Sequence, residues 1–136
     1  MNREIKYRGL TSNGNWVCGN LIQGKNGACY ICSINENPVY KNGDYWYIDS
    51  PCYVVIPETV GQFTGLKNQN GEEVYEGDVL ELNNCGLLIV CFYKGEFKLQ
   101  KLAEYHKKRN LYASISYLEF SVLRGNIYEN PELLTI

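Results

Sequence analysis

Val79-Leu80-Glu81-Leu82-Asn83-Asn84-Cys85-Gly86-Leu87-Leu88-Ile89-Val90-Cys91-Phe92-Tyr93-Lys94-Gly95-Glu96-Phe97-Lys98-Leu99-Gln100-Lys101-Leu102 reads as three short apolar runs separated by two tight turns. The runs Val79–Leu82, Leu87–Tyr93 and Glu96–Leu102 are rich in residues that fit a pleated, half-buried surface. Each intervening turn carries a glycine, which adopts the positive φ of hairpin turns without a steric penalty. Strand, turn, strand, turn, strand is the simplest reading.

The same punctuation extends outward on both sides. Turn signals recur at Ser12-Asn13-Gly14-Asn15, Gly24-Lys25-Asn26-Gly27, Lys41-Asn42-Gly43-Asp44, Asn70-Gly71 and Glu76-Gly77-Asp78. Between them the pattern predicts strands at Glu4–Arg8, Trp16–Ile22, Cys29–Ile34, Tyr45–Ile48, Tyr53–Ile56, Val60–Thr64 and Phe120–Tyr128. Strands this closely spaced make a mostly β chain, and they favour a small barrel or sandwich over a parallel sheet with crossover helices. Lys98–Asn110 also shows helical 3–4 spacing, although its first half doubles as a hairpin partner of Leu87–Tyr93. Asn130-Pro131 is an N-cap followed by proline, which predicts one helical turn through Glu132–Leu134. The best boundary is Pro57-Glu58, giving an N-terminal β-hairpin region over 1–57 and a more compact region over 58–136.

A chain of 136 residues buries roughly two-thirds of its unfolded surface, so its fold needs no metal or staple. Twelve tyrosines against four phenylalanines suit half-buried β positions, with the ring inward and the hydroxyl toward water. The net charge is −2; residues 58–136 carry eight Lys/Arg against eleven Asp/Glu, counted directly from the sequence. No global basic field exists to hold a polyanion. Nothing approaches the roughly 18–20 apolar residues of a membrane span, and Met1-Asn2-Arg3-Glu4 lacks a signal-peptide core. The expectation is a cytoplasmic protein with no membrane partner and with all six cysteines reduced.

Four blocks stand out against this background: Arg3-Glu4-Ile5-Lys6-Tyr7-Arg8, Glu58 to Leu66, Asn70 to Val79, and Gly125-Asn126-Ile127-Tyr128-Glu129-Asn130-Pro131-Glu132-Leu133-Leu134. In this order they resemble the YopX family of phage and prophage proteins. The resemblance implies a small SH3-like β-barrel in the C-terminal part, residues 58–136, and a phage or prophage origin in a bacterial host cell. It implies no activity and transfers no catalytic residue. The blocks also make sense as scaffold: Asp78 can bond nearby backbone amides and fix its turn.

The chemistry-bearing clusters point the same way. Cys29-Tyr30-Ile31-Cys32 is a CxxC, yet on a strand its two sulfurs face opposite sides. A zinc site would need Cys18, Cys29, Cys32 and Cys52 to converge. His106 is the only histidine, and no hydrolase, zincin or P-loop spacing accompanies it. Glu72, Glu73, Glu76, Asp78 and Glu81 read as a solvated acidic edge. Lys94, Lys98, Lys101, Tyr105, Lys107, Lys108 and Arg109 lie among aromatics in segment 92–112, where a nucleic-acid surface would set cations for phosphates and rings for stacking. Glu96 and Glu104 interrupt that stripe. The sequence therefore assigns no catalytic, cofactor or metal residue. It favours a non-enzymatic interaction module of unknown protein partner, assembling as a homo-oligomer, with a nucleic-acid-binding barrel as the alternative.

Overall fold

A computed structural model describes residues 3–33, 39–48 and 51–135. The chain divides into two units, one of Ile5–Gln62 and one of Phe63–Ile136 together with Met1–Glu4. Both are mostly β and antiparallel.

In the first unit, β1 (Tyr7–Leu10), β2 (Trp16–Gln23), β3 (Cys29–Cys32) and β6 (Cys52–Val55) form a sheet in the order β6-β3-β2-β1. Gly61 and Gln62 pair with Arg8 and Tyr7 beyond β1. A separate hairpin of β4 (Val39–Asn42) and β5 (Tyr45–Ile48) leaves and re-enters between β3 and β6. Strand alternation places Cys29 and Ile31 on the inner side. They join Val55 in a core flanked by Tyr7, Val17, Leu21 and Val60. Gly9 is a packing requirement, because a Cβ there would stand 2.8 Å from Cβ of Val55. A short 3-10 helix, Pro57–Thr59, closes the unit. Its Thr59 hydroxyl accepts from the Leu10 amide at 2.9 Å and donates to the Ile56 carbonyl at 2.6 Å.

The second unit begins within β7 (Gly61–Lys67), whose Phe63 and Lys67 pair with β8 (Glu73–Tyr75). Asn68 builds the connection, accepting from the amides of Asn70 and Glu72 at 3.0 Å each. Then β9 (Asp78–Leu82), β10 (Gly86–Tyr93) and β11 (Glu96–Lys101) form a meander. One helical turn, α1 (Leu102–His106), precedes β12 (Ala113–Ser114), a 3-10 helix Ile115–Phe120, β13 (Val122–Asn126) and a last 3-10 turn Pro131–Thr135. The sheet order is β12-β11-β10-β9-β13. Val74, Leu80, Leu88, Val90, Leu99 and Leu118 form its core. Each fully buried aliphatic there contributes about 1.5–3 kcal/mol.

The two readings of Lys98–Asn110 share the segment: it is strand to Lys101 and helix from Leu102. The expected strand Phe120–Tyr128 shrinks to Val122–Asn126. Its start is taken by the 3-10 helix, and its end by a turn that the Asn126 side chain makes with the amides of Tyr128 and Glu129. Strand β1 begins at Tyr7, later than the expected Glu4. Ile34, the expected end of the third strand, lies outside the described residues. The short strands β8 and β12 carry too few residues to show a period.

Candidate functional site

The register of the first unit leaves one apolar row without cover from its own core. Ile22 pairs with Tyr30, and Tyr30 with Val54, so the three side chains share the face opposite Cys29, Ile31 and Val55. Ile22 is 54% exposed and Val54 65%. Strand β6 is also the edge of the sheet among the described residues. Its sequence Cys52-Tyr53-Val54-Val55 has no charge and no proline, the two devices that usually blunt an edge.

The cysteines surround this row. Cys32 and Cys52 are directly opposite on β3 and β6 and form a disulfide, which corrects the expectation of six thiols. Their partnership depends on register between strands separated by a hairpin, and spacing along the chain does not reveal it. The bond closes the base of the β4–β5 excursion, beside the Ser33 amide's 3.0 Å bond to the Pro51 carbonyl. Cys29 is on the core face, so the CxxC sulfurs do diverge. Cys18 is on the same face as Cys32, and Cys29 on the other, so the four sulfurs do not surround one point. No group of three or more metal-ligating side chains occurs among the described residues.

In the second unit the acidic run is not a single solvated edge. Asp78 is 2% exposed and accepts from the Tyr75 amide at 2.8 Å, the turn-fixing role its position predicts. Glu72 accepts from the Asn68 side-chain amide at 3.0 Å, and Glu81 from Arg124 at 2.7 Å. Cys91 is half-buried, and burial, then the Glu76 carboxylate, push its thiol up to about 11. That is the opposite of an activated nucleophile. His106 is exposed and packs edge-on to Tyr105.

The basic-aromatic segment is dispersed by its strand geometry. Lys94 sits in the β10–β11 turn, its ammonium 5.5 Å from the Tyr93 ring centre, and Tyr93 stacks on Tyr112 at 4.4 Å. Lys98 and Lys101 are three residues apart on β11 and therefore face opposite sides. Lys98 is paired with Glu96 at 3.0 Å. Tyr105 belongs to α1. Lys107, Lys108 and Arg109 follow it in an exposed loop, where Arg109 is 3.8 Å from the Glu104 carboxylate and its carbonyl accepts from the Gln100 side chain. Lys101 instead lines a cavity of about 360 Å³ with Glu104, Leu88, Leu99, Tyr112 and Tyr117. Sequence reading missed this cavity because its walls come from six separate elements and their connecting loops.

The family model described as "YopX protein" matches residues 6–135. Among solved structures, the crystal structure of protein EF1440 from Enterococcus faecalis is similar over 98% of this chain and 99% of that one, with a TM-score of 0.63 and 22% identity. No curated protein matches the chain. No helix among the described residues is long and apolar enough to cross a membrane.

Proposed function

The chain belongs to the YopX protein family, and from that footing we propose that it is a non-enzymatic interaction module that pairs with a second copy of itself through β6. The observation that carries this reading is the coincidence of an unblunted edge strand with the row Ile22, Tyr30 and Val54, half-buried at Tyr30 and exposed at Ile22 and Val54. Antiparallel pairing of β6 with its copy about a twofold axis would extend the sheet across both molecules. Each Val54 then meets the partner's row on the same face, so backbone bonding and apolar burial act together. Burying the exposed part of Ile22 and Val54 contributes about 1–2 kcal/mol for each side chain.

We further read the second unit as an SH3-like barrel and the protein as one of phage or prophage origin in a bacterial host. Support for the barrel comes from residues 113–126, which flank β11 with their first two residues and β9 with their last five. One segment thus borders both edges of the sheet. A nucleic-acid role for segment 92–112 has weaker support, since Lys98 and Arg109 already face carboxylates and Lys101 faces the cavity.

Light scattering over a concentration series tests the self-association. The wild-type chain is expected to form a dimer, and Val54→Lys to remain a monomer at the same concentrations. A wild-type monomer throughout, or an undiminished Val54→Lys dimer, would overturn the reading.

A further inference from the structure

A 3-10 helix has three residues per turn, so along Ile115–Phe120 the residues three apart share a row. Ile115 and Leu118 form the inner row and pack in the core of the second unit. Tyr117 and Phe120 form another, and both are exposed. Leu111 is exposed as well, and it lines the cavity of about 360 Å³ together with Tyr117. Leu82, Leu88 and Leu99 supply aliphatic wall to the same cavity. Three exposed apolar side chains about an apolar hollow are the kind of patch that marks contact with another molecule.

The charges bordering this patch are mostly of one sign. Lys101 lines the cavity and belongs to no ion pair among the described residues. Arg109 and Glu104 stand 3.8 Å apart and offset one another, whereas Lys107 and Lys108 are exposed directly after α1. Their loop is held in place, since the amides of Lys107, Lys108 and Arg109 donate to the carbonyls of Ala103, Tyr105 and Glu104. Against these three lysines stands Glu119, on the polar row of the 3-10 helix with Ser116.

We propose that this face docks an acidic peptide segment of a partner protein, with one large apolar side chain seated in the cavity and carboxylates turned toward Lys101, Lys107 and Lys108. The cavity sets the anchor, because its aliphatic and aromatic walls take a leucine or an aromatic ring. The lysines set the flanks, attracting carboxylates and repelling a basic segment. A nucleic acid would leave the aliphatic cavity unfilled. The face shares no residue with the β6 edge, so its occupancy is independent of the self-association.

Selection from a random peptide library by the immobilised full chain, followed by amide NMR titration with the selected peptides, tests the proposal. Those peptides are expected to carry one large apolar residue flanked by aspartate or glutamate. They should shift the amides of Leu99, Leu111, Tyr112 and Tyr117 saturably. Replacing the peptide's apolar residue by alanine should weaken binding about tenfold or more. Leu111→Ala combined with Tyr117→Ala should do the same while keeping the dispersed spectrum of a folded chain. Lys101→Glu combined with Lys107→Glu should invert the charge preference, so that a lysine-substituted peptide binds more tightly than its acidic parent. Selection of basic or uncharged peptides, no selection at all, shifts confined to other surfaces, or an unchanged charge preference in the reversed variant overturns the proposal. So does a single-stranded oligonucleotide that shifts the same amides at lower concentration than the peptides do. Shifts of these amides with protein concentration alone would overturn it too, by giving the face to a second copy of the chain.

Discussion

Gly125→Ala should damage the second unit far more than an alanine at an ordinary turn glycine. Gly125 has φ +142, a conformation that side-chain-bearing residues rarely adopt. An alanine Cβ there would run into Oδ1 of Asn130 and stand 2.8 Å from its Cγ. That side chain is not free to swing away, because Oδ1 accepts from the Asn126 amide at 3.2 Å. Backbone strain of this kind costs about 1–3 kcal/mol, and overpacking a fixed neighbour a similar amount. The sum is a loss of about 2–6 kcal/mol. Gly95→Ala supplies the comparison in the same unit, with φ +83 and nothing within 4 Å of its Cβ, so only about 1–2 kcal/mol of strain applies. Asn130→Ala removes the colliding atoms, so Gly125→Ala and Asn130→Ala combined should lose about 1–2 kcal/mol less than their sum. Urea unfolding followed at the amides of Leu80 and Leu99 is the assay. The fluorescence of Trp16 and Trp46 would report the other unit, which holds both tryptophans. Equal losses at Gly125 and Gly95, or strict additivity with Asn130→Ala, would refute the steric reasoning.

Opening the Cys32–Cys52 disulfide should lower the stability of the first unit by about 3 kcal/mol, given a closed loop of 20 residues' separation. Tryptophan fluorescence in urea with and without reductant checks it, and an unchanged midpoint would contradict it. The Cys91 thiol, pushed up to about 11, should be alkylated by iodoacetamide at pH 8 much more slowly than exposed Cys85. Its rate should climb as pH approaches 11, where the thiolate forms, and mass spectrometry of each peptide reads both rates. Leu99→Ala, in the middle of the second core, should destabilise that unit by about 2–5 kcal/mol in urea and leave the tryptophan-reported transition in place.

The sequence shows the strands wherever a run is long enough to display a period, as in β2, β10 and β11. It shows the turns wherever glycine is required. Two of its four family blocks, Asn70 to Val79 and Gly125 to Leu134, meet in the second unit: Ile127 donates to the Gly77 carbonyl at 3.1 Å, and Asn126 pairs with Asp78. What it could not show depends on pairing across long separations. The Cys32–Cys52 bond, the apolar row across β2, β3 and β6, and the cavity at Glu104 all arise when strand register places distant residues side by side. The basic segment 92–112 illustrates the reverse case. Its residues are neighbours in sequence, but alternation along β11 sends Lys98 and Lys101 apart.

Hydrogen exchange at the β6 amides reads out the pairing of β6 with its own copy. Ile56 already donates to the Leu10 carbonyl at 2.8 Å and serves as an internal reference whose protection should not depend on concentration. The outward-facing amides within Cys52–Val55 should become protected as the protein concentration rises, and Val54→Lys should abolish that gain. Exchange at those amides that stays equally fast from dilute to concentrated solution would contradict the account.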